Sequence, residues 1–241
     1  EQYADVDGLL AIARSAPDLE VPEEPEETVA SAGVLAVAWD EAFCFYYQEN
    51  LELLERSGLK IVKFSPLTDQ KLPDGTCGLY LGGGYPELYA KQLSGNAPML
   101  AALREAAAAD LPILAECGGF LYLQQSLEDP NGTSWPMAGV LEGSGFQNGR
   151  LQRFGYVTLS PKENSAYLRT GETLAAHEFH RWDCTQNGES CLAQKPESEK
   201  SWNCMLCKGN LLAGFPHLYL PSCPQVARRF ADACRRWKER L

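Results

Sequence analysis

Hydrophobic positions in the first half of the chain fall into short solid runs separated by stretches of helical spacing. Residues 33–39 (Gly-Val-Leu-Ala-Val-Ala-Trp) form an apolar run of the kind that a strand buried on both faces requires. Residues 45–54 then place apolar side chains at helical intervals, and Gly58 marks a helix end. Residues 60–64 read as the second strand, so strand, helix and strand follow one another at the lengths of a right-handed βαβ unit with a parallel sheet. Residues 78–81 are a third strand, 98–109 an alanine-rich helix, and 113–115 a fourth strand, after which helical periodicity resumes from Phe120. The expectation is four parallel strands with intervening helices.

The second half is patterned differently. Residues 137–141, 153–159 and 173–179 read as strands between glycine- and proline-bearing turns, and 183–209 carry no clear period. An apolar stretch at 211–220 precedes an amphipathic closing helix at 225–240. At the other end, 6–13 form a short helix candidate, followed by Pro17, Pro22, Pro25 and a run of glutamates. Residues 16–30 have little to bury and read as a tether. Residues 1–30 are therefore expected to be the end of a preceding domain plus linker, and 31–241 one main α/β domain with a mostly parallel sheet, flanking helices and a β-rich C-terminal half.

Composition narrows the function. The chain has 241 residues, is 45% hydrophobic and carries a formal charge of -11, with a pI near 4.8. Such acidity leaves no basic cluster to neutralise phosphates, which argues against nucleic acid as a partner. No apolar run is long enough to span a bilayer and no leader pattern opens the sequence, so a cytoplasmic, non-membrane location is expected. The nine cysteines then read as free thiols in a reducing compartment. Cys184, Cys191, Cys204 and Cys207 include a Cys-x-x-Cys pair, but their spacing matches no standard zinc pattern, and no metal is expected.

The candidate chemistry centres on Ala115-Glu-Cys-Gly-Gly119. Cys117 stands where the buried strand gives way to helical periodicity, and the two glycines permit a tight strand-to-helix turn that exposes a nucleophile. A helix N-terminus there is expected to favour the thiolate and lower the Cys117 pKa. The loop Gly82-Gly-Gly-Tyr-Pro-Glu87 ends another strand. It lacks the Walker lysine, so no nucleotide site is implied, but its bare backbone could lend an N–H to an oxyanion hole. Loops at the carboxyl ends of parallel strands converge on one crevice, which puts this loop and Cys117 on the same edge. The chain contains three histidines, His177, His180 and His217. His177 and His180 fall on opposite faces of a strand, and spacing alone does not choose a base among the three.

These motifs, together with Phe45-Tyr-Tyr-Gln-Glu-Asn-Leu-Glu-Leu-Leu54, Tyr80-Leu-Gly-Gly-Gly-Tyr-Pro-Glu-Leu88 and His177-Glu-Phe-His180, carry a resemblance that runs in order from about Val34 to about Leu220. The stretch resembles the C-terminal amidotransferase domain of the cobyrinic acid a,c-diamide synthases, in the cobyrinate/cobyrate branch of class I glutamine amidotransferases. The resemblance implies a flavodoxin-like class I amidotransferase fold. It makes Cys117 the nucleophile and His217 its activating histidine, with Gly83, Gly84 and Gly118 supplying the oxyanion hole and Glu178 and His180 supporting. It further implies glutamine as substrate, with ammonia passed to an N-terminal synthetase domain. That domain would use ATP and Mg to amidate the a and c carboxylates of the cobyrinic acid corrinoid in cobalamin biosynthesis, leaving this part of the protein without a cofactor of its own.

Two features depart from the pattern. The typical class I triad has a glutamate two residues after the histidine, whereas this chain reads His217-Leu-Tyr219. A Cys-His dyad oriented by some other group is therefore expected. The cysteine-bearing stretch 184–207 is the second departure. Alternative readings are a flavodoxin-like cysteine hydrolase or redox protein, with Glu116 beside its nucleophile, and a non-catalytic amidotransferase-like assembly domain.

Overall fold

The computed structural model describes residues 3–19 and 29–240, with only the backbone of Gln152. Most of the stretch 16–30 that is expected to be a tether lies at 20–28, outside the described residues. The helix before it, Val6–Ser15, is capped by the Asp5 carboxylate on the Gly8 N–H and buries none of its residues.

One sheet has the spatial order Leu206–Lys208, Leu211–Gly214, Ile113–Glu116, Thr76–Leu81, Gly33–Ala38, Leu59–Phe64. All its pairings are parallel except that of the edge strand Leu206–Lys208. Because side chains alternate across a strand, each inner strand feeds two cores. Ala36, Leu79, Leu81, Ile113, Ala115 and Ala213 pack on one face with Met99, Leu100 and Leu103 of the helix Ala97–Ala108. Leu35, Val37, Tyr80, Leu114 and Leu212 pack on the other with Leu51 and Leu54 of the helix Gln48–Arg56 and with Val226 and Phe230 of the helix Pro224–Lys238. Burial on both faces is why these strands read as solid apolar runs.

The C-terminal half builds a second, seven-stranded sheet along the path Ser201–Cys204, Cys191–Gln194, Ser144–Pro161, Leu174–Cys184, His217–Leu218, joined by Ser126–Glu128 and Ser134–Pro136. Its main pairings are antiparallel. In Leu174–Cys184 the positions Leu174, Ala176, Glu178, His180 and Trp182 are buried while Ala175, Phe179 and Arg181 are exposed. Glu178 and His180 therefore share the inward face, and His177 points the other way. Among the described residues no helix is long and apolar enough to cross a membrane.

Several expected elements are corrected. The run 137–141 is no strand, because its N–H groups bond to the carbonyls of Gln125, Tyr122, Gln124 and Leu123 and so wrap the end of the short helix Gly118–Tyr122. That helix has five residues, fewer than the periodicity from Phe120 suggested. Residue 45 belongs to a small strand, Phe43–Phe45, paired with Gly83–Gly84, and the helix starts three residues later. A turn, not a helix, links Leu59–Phe64 to Thr76–Leu81.

Gly119 is where the elbow touches the neighbouring strand Thr76–Leu81. A Cβ there would stand 2.1 Å from the Leu81 carbonyl oxygen, which belongs to the rigid neighbouring strand. Gly119→Ala should therefore destabilise the fold by about 1–3 kcal/mol, the usual scale of overpacking, read as a lowered urea midpoint with unchanged slope.

Candidate functional site

Cys117 links the strand Ile113–Glu116 to the helix Gly118–Tyr122 with φ 48° and ψ -102°. A non-glycine residue held in this region costs about 1–3 kcal/mol and persists only where its surroundings over-determine it. Here they do so through three backbone bonds. Cys117 N–H donates to Gly214 O at 2.8 Å, Leu121 N–H to Cys117 O at 3.0 Å, and Gly119 N–H to Gly82 O at 2.9 Å. The glycine loop closes on the elbow from the adjacent strand. A Cβ on Gly118 would lie 3.1 Å from the Gly84 nitrogen, and one on Gly84, whose φ is 156°, would meet the Ala42 carbonyl at 2.1 Å. The backbones of Gly84 and Gly118 thus approach closely beside the cysteine, with the Pro86 ring also against Gly118.

His217 enters from the next parallel strand. Leu211–Gly214 pairs with Ile113–Glu116 in the register Gly214 to Glu116, so the chain emerges beside Cys117 and reaches His217 three residues later. The imidazole lies over Gly83, where a Cβ would stand 2.3 Å from Cε1. The Phe45 ring meets it edge-on, with centroids 4.6 Å apart. Asn50 ties down the backbone that follows, donating to Leu218 O at 2.7 Å and accepting from Leu220 N–H at 2.8 Å. Nδ1 of His217 is buried without a hydrogen-bond partner and lies 4.0 Å from Oε2 of Glu116. Glu116 in turn accepts from Tyr80 Oη–H at 3.0 Å and from Leu218 N–H at 3.2 Å.

His180 has a different environment. Its Nδ1 meets Trp182 O at 2.5 Å, its Nε2 meets Glu178 Oε1 at 2.9 Å, and its ring stacks on Phe215 at 3.8 Å. Both nitrogens are committed. Glu178 also accepts from the Trp202 indole at 3.1 Å, and Arg153 lies 3.8 Å away. His177 sits on the outer face between the rings of Phe154 and Tyr156.

A pocket of about 120 Å³ opens over the nucleophile, lined by Gly84, Glu87, Cys117, Phe179, His180 and Arg181 among others. It includes His180 but not His217, whose imidazole is tucked behind the glycine loop. Glu87, at the end of the glycine-loop motif, is a site residue that the motif itself does not reveal. It is buried, and its carboxyl is pushed up to about 7 by that burial. Only the turn of the chain through Pro86 brings it to the pocket wall, and spacing carries no signal of that.

The electrostatics correct the expected lowering of the Cys117 pKa. Burial pushes this thiol well above its ordinary value, Glu87 adds to the rise, and Glu178 and Glu116 add less, while the Gly118 N–H works the other way. A helix of five residues has too little dipole to outweigh desolvation. Burial also holds His217 down to about 3, with His177 and His180 contributing, so the resting pair is a neutral thiol and a neutral imidazole. Burial raises Glu116 to about 8, its hydrogen bonds from Tyr80 and Leu218 opposing the rise.

The nine cysteines are free thiols. Cys191 faces Cys204 across an antiparallel pair, while Cys184 donates to Gln186 O. Among the described residues no group of three or more His, Cys, Asp or Glu side chains is arranged to hold a metal ion.

The α/β fold that carries this cysteine elbow is that of the class I glutamine amidotransferases. One glutamine amidotransferase of known structure aligns over 84% of this chain and 99% of its own with a TM-score of 0.55 at 18% identity. PurLQS from Thermotoga maritima aligns over 85% and 97% with a TM-score of 0.52 at 16% identity. Residues 34–223 match the CobB/CobQ-like glutamine amidotransferase domain, and the chain belongs to that family. The cobyrinate a,c-diamide synthase of Caldanaerobacter subterraneus subsp. tengcongensis is 38% identical over 236 residues, covering 97% of this chain and 52% of the relative. That of Salmonella typhimurium is 38% identical over 242 residues, covering 98% and 52%. The chain spans about half the length of the curated relatives it matches. Family membership sets aside the reading as an unrelated flavodoxin-like hydrolase.

Since the Glu87 charge opposes the Cys117 thiolate, Glu87→Gln should speed alkylation of Cys117 by iodoacetamide at pH 8 by up to about tenfold, the effect of one pKa unit. Peptide mass spectrometry over time reads the rate, and in the unsubstituted protein it should still be climbing at pH 9.

Proposed function

We propose that this chain is the glutaminase part of a cobyrinate a,c-diamide synthase, with Cys117 as nucleophile and His217 as its general base and acid. The observation that carries the reading is Cys117 held at positive φ against the bare backbones of Gly84 and Gly118, with His217 delivered by the neighbouring strand. Glutamine would enter the pocket with its side-chain amide over Cys117. As the sulfur bonds to the amide carbon, the thiol proton passes to the imidazole and the carbonyl oxygen becomes an oxyanion facing the amides of Gly118 and of Gly83 or Gly84. The imidazolium then gives that proton to the departing nitrogen, and ammonia leaves. Water attacks the thioester with the imidazole again as base, releasing glutamate.

The neutral resting pair suits this order of events. Because both groups are buried, charge separation is unfavourable until a substrate carbonyl can take up the negative charge, which limits wasteful reaction of an idle thiolate. Glu87, on the pocket wall, would meet the α-ammonium of glutamine. That contact would neutralise the carboxylate that most opposes the thiolate. Glu178 and His180 support the pocket wall, His180 lacking a free nitrogen for proton transfer.

Ammonia is useful only where a carboxylate has been activated. The relatives are about twice as long and are named for a,c-diamide formation. We therefore assign the ATP- and Mg-dependent activation of the a and c carboxylates of cobyrinic acid to a synthetase domain joined to this one. The chain itself has no Walker lysine loop.

Glutamate release measured by mass spectrometry tests the reading. Cys117→Ser should lose turnover with little change in melting temperature, because a serine hydroxyl at its normal pKa is a far poorer nucleophile here. His217→Ala should lower turnover by about a hundredfold or more, the scale of general acid-base catalysis, and His180→Ala should cost less. Near wild-type glutamine hydrolysis by Cys117→Ser would overturn the assignment. A separate assay addresses the division of labour. Residues 1–241 should bind no ATP by calorimetry and leave cobyrinic acid unamidated, whereas a protein that includes the synthetase domain forms the a,c-diamide.

A further inference from the structure

We propose that Glu116, the residue immediately before the nucleophile, is the positioning carboxylate of His217, filling the role that an acid two residues beyond the histidine has in the typical class I triad. The inference rests on the glutaminase reading and deepens it. No acid follows His217 in the chain, where Leu218 and Tyr219 stand. Yet Nδ1 of its imidazole is buried and unpartnered, with Glu116 Oε2 4.0 Å away. A buried polar atom left without a partner is costly, and contacts of this kind commonly tighten when substrate is bound.

The other bonds of Glu116 show why it can orient the ring. The Leu218 N–H can only donate, so Oε1 is an acceptor, and Tyr80 donates its hydroxyl hydrogen to Oε2. In the ionised form of Glu116 both oxygens are acceptors, and the lone pair facing Nδ1 selects the imidazole tautomer that carries its hydrogen there. Nε2 is then free to take the thiol proton. Glu116 also grips the residue after His217 through the same carboxylate, so it sets ring orientation and backbone position together. Phe45 on one side and Gly83 on another confine the remaining rotation of the ring. Carboxylate and nucleophile are adjacent in sequence, so one turn of backbone positions both.

Glu116→Gln tests this. The carboxamide keeps an acceptor for the Leu218 N–H but turns its NH2 towards Tyr80 and His217, where it donates to Nδ1 and forces the hydrogen onto Nε2. Such a switch of tautomer leaves the fold intact and removes the base. The expected result is a fall in kcat of about a hundredfold or more with KM for glutamine within about twofold. Tyr80→Phe, which removes one support of the carboxylate, should cost less than about tenfold. Nitrogen-15 NMR gives a readout that a purely structural role would not move. The His217 signal at pH 9, where Glu116 is ionised, assigned by its loss in His217→Asn, should show the hydrogen on Nδ1 in the unsubstituted chain and on Nε2 in Glu116→Gln.

An Nε2–H tautomer in the unsubstituted chain at pH 9 would overturn the proposal, as would a folded Glu116→Gln protein with kcat within about threefold of the original. If Glu116→Gln does not fold by circular dichroism, the tautomer of the unsubstituted chain decides. Absence of both glutamate release and Cys117 labelling by a glutamine analogue in the unsubstituted chain would defeat the glutaminase reading, while the tautomer would still report on the Glu116 to His217 contact.

Discussion

The pairing of Ile113–Glu116 with Leu211–Gly214 is the constraint on which the site depends. It ends in the bond from Cys117 N–H to Gly214 O. That bond belongs both to the sheet and to the elbow, because it is the last rung of the ladder and the first restraint on a residue at positive φ. A slip of one residue would turn every side chain of the strand to the opposite face, taking Ala115 out of its core and Glu116 away from Tyr80. The apolar burial on both faces of the sheet, spread over two clusters, resists such a slip. The free energy that stabilises the sheet thereby also maintains the local strain at Cys117.

The site combines polar groups with unusually deep burial. Glu116 is 1% exposed and His217 5% exposed, and both are neighbours of a thiol that burial keeps protonated. Isolated charges would be expensive in this setting. The arrangement avoids them at rest by leaving the sulfur and imidazole neutral and by giving Glu116 two hydrogen-bond donors. Chemistry then requires the substrate to supply the missing partner, and access to the cysteine is limited to a pocket of about 120 Å³.

The parallel sheet was legible because strands buried on both faces must be apolar throughout, as at 33–39 and 113–115. The elbow was legible because Cys117 is followed by two glycines, one of which, Gly119, sits against a carbonyl. The second sheet was only partly so. Its longest strand, Ser144–Pro161, contains Gly149, Arg153 and Gly155 at positive φ, and its pairing with Leu174–Cys184 shifts register twice. Each shift breaks the alternation by which a half-buried strand is recognised, so only 153–159 stood out. At 137–141 the apolar residues are buried as a wrap around a helix end, an arrangement with no period of its own. Three-dimensional neighbours explain the other omissions. The thiol is raised by burial and then by Glu87 on the same pocket wall, and Glu116 lies beside a histidine about a hundred positions away.

His217 and Leu218 also pair with His177 and Ala176 of the antiparallel sheet. The segment between Gly214 and His217 is consequently anchored at both ends, by a parallel ladder before it and an antiparallel ladder after it. Only Phe215 and Pro216 separate the two anchors, and Phe215 is itself buried between Phe120 and the His180 ring. This connection has no slack to absorb an added or deleted residue, in contrast to an exposed hairpin tip such as Asn131-Gly132. Over evolutionary time, length variation in this domain should therefore accumulate at its outer turns, while the distance along the chain from Gly214 to His217 remains fixed.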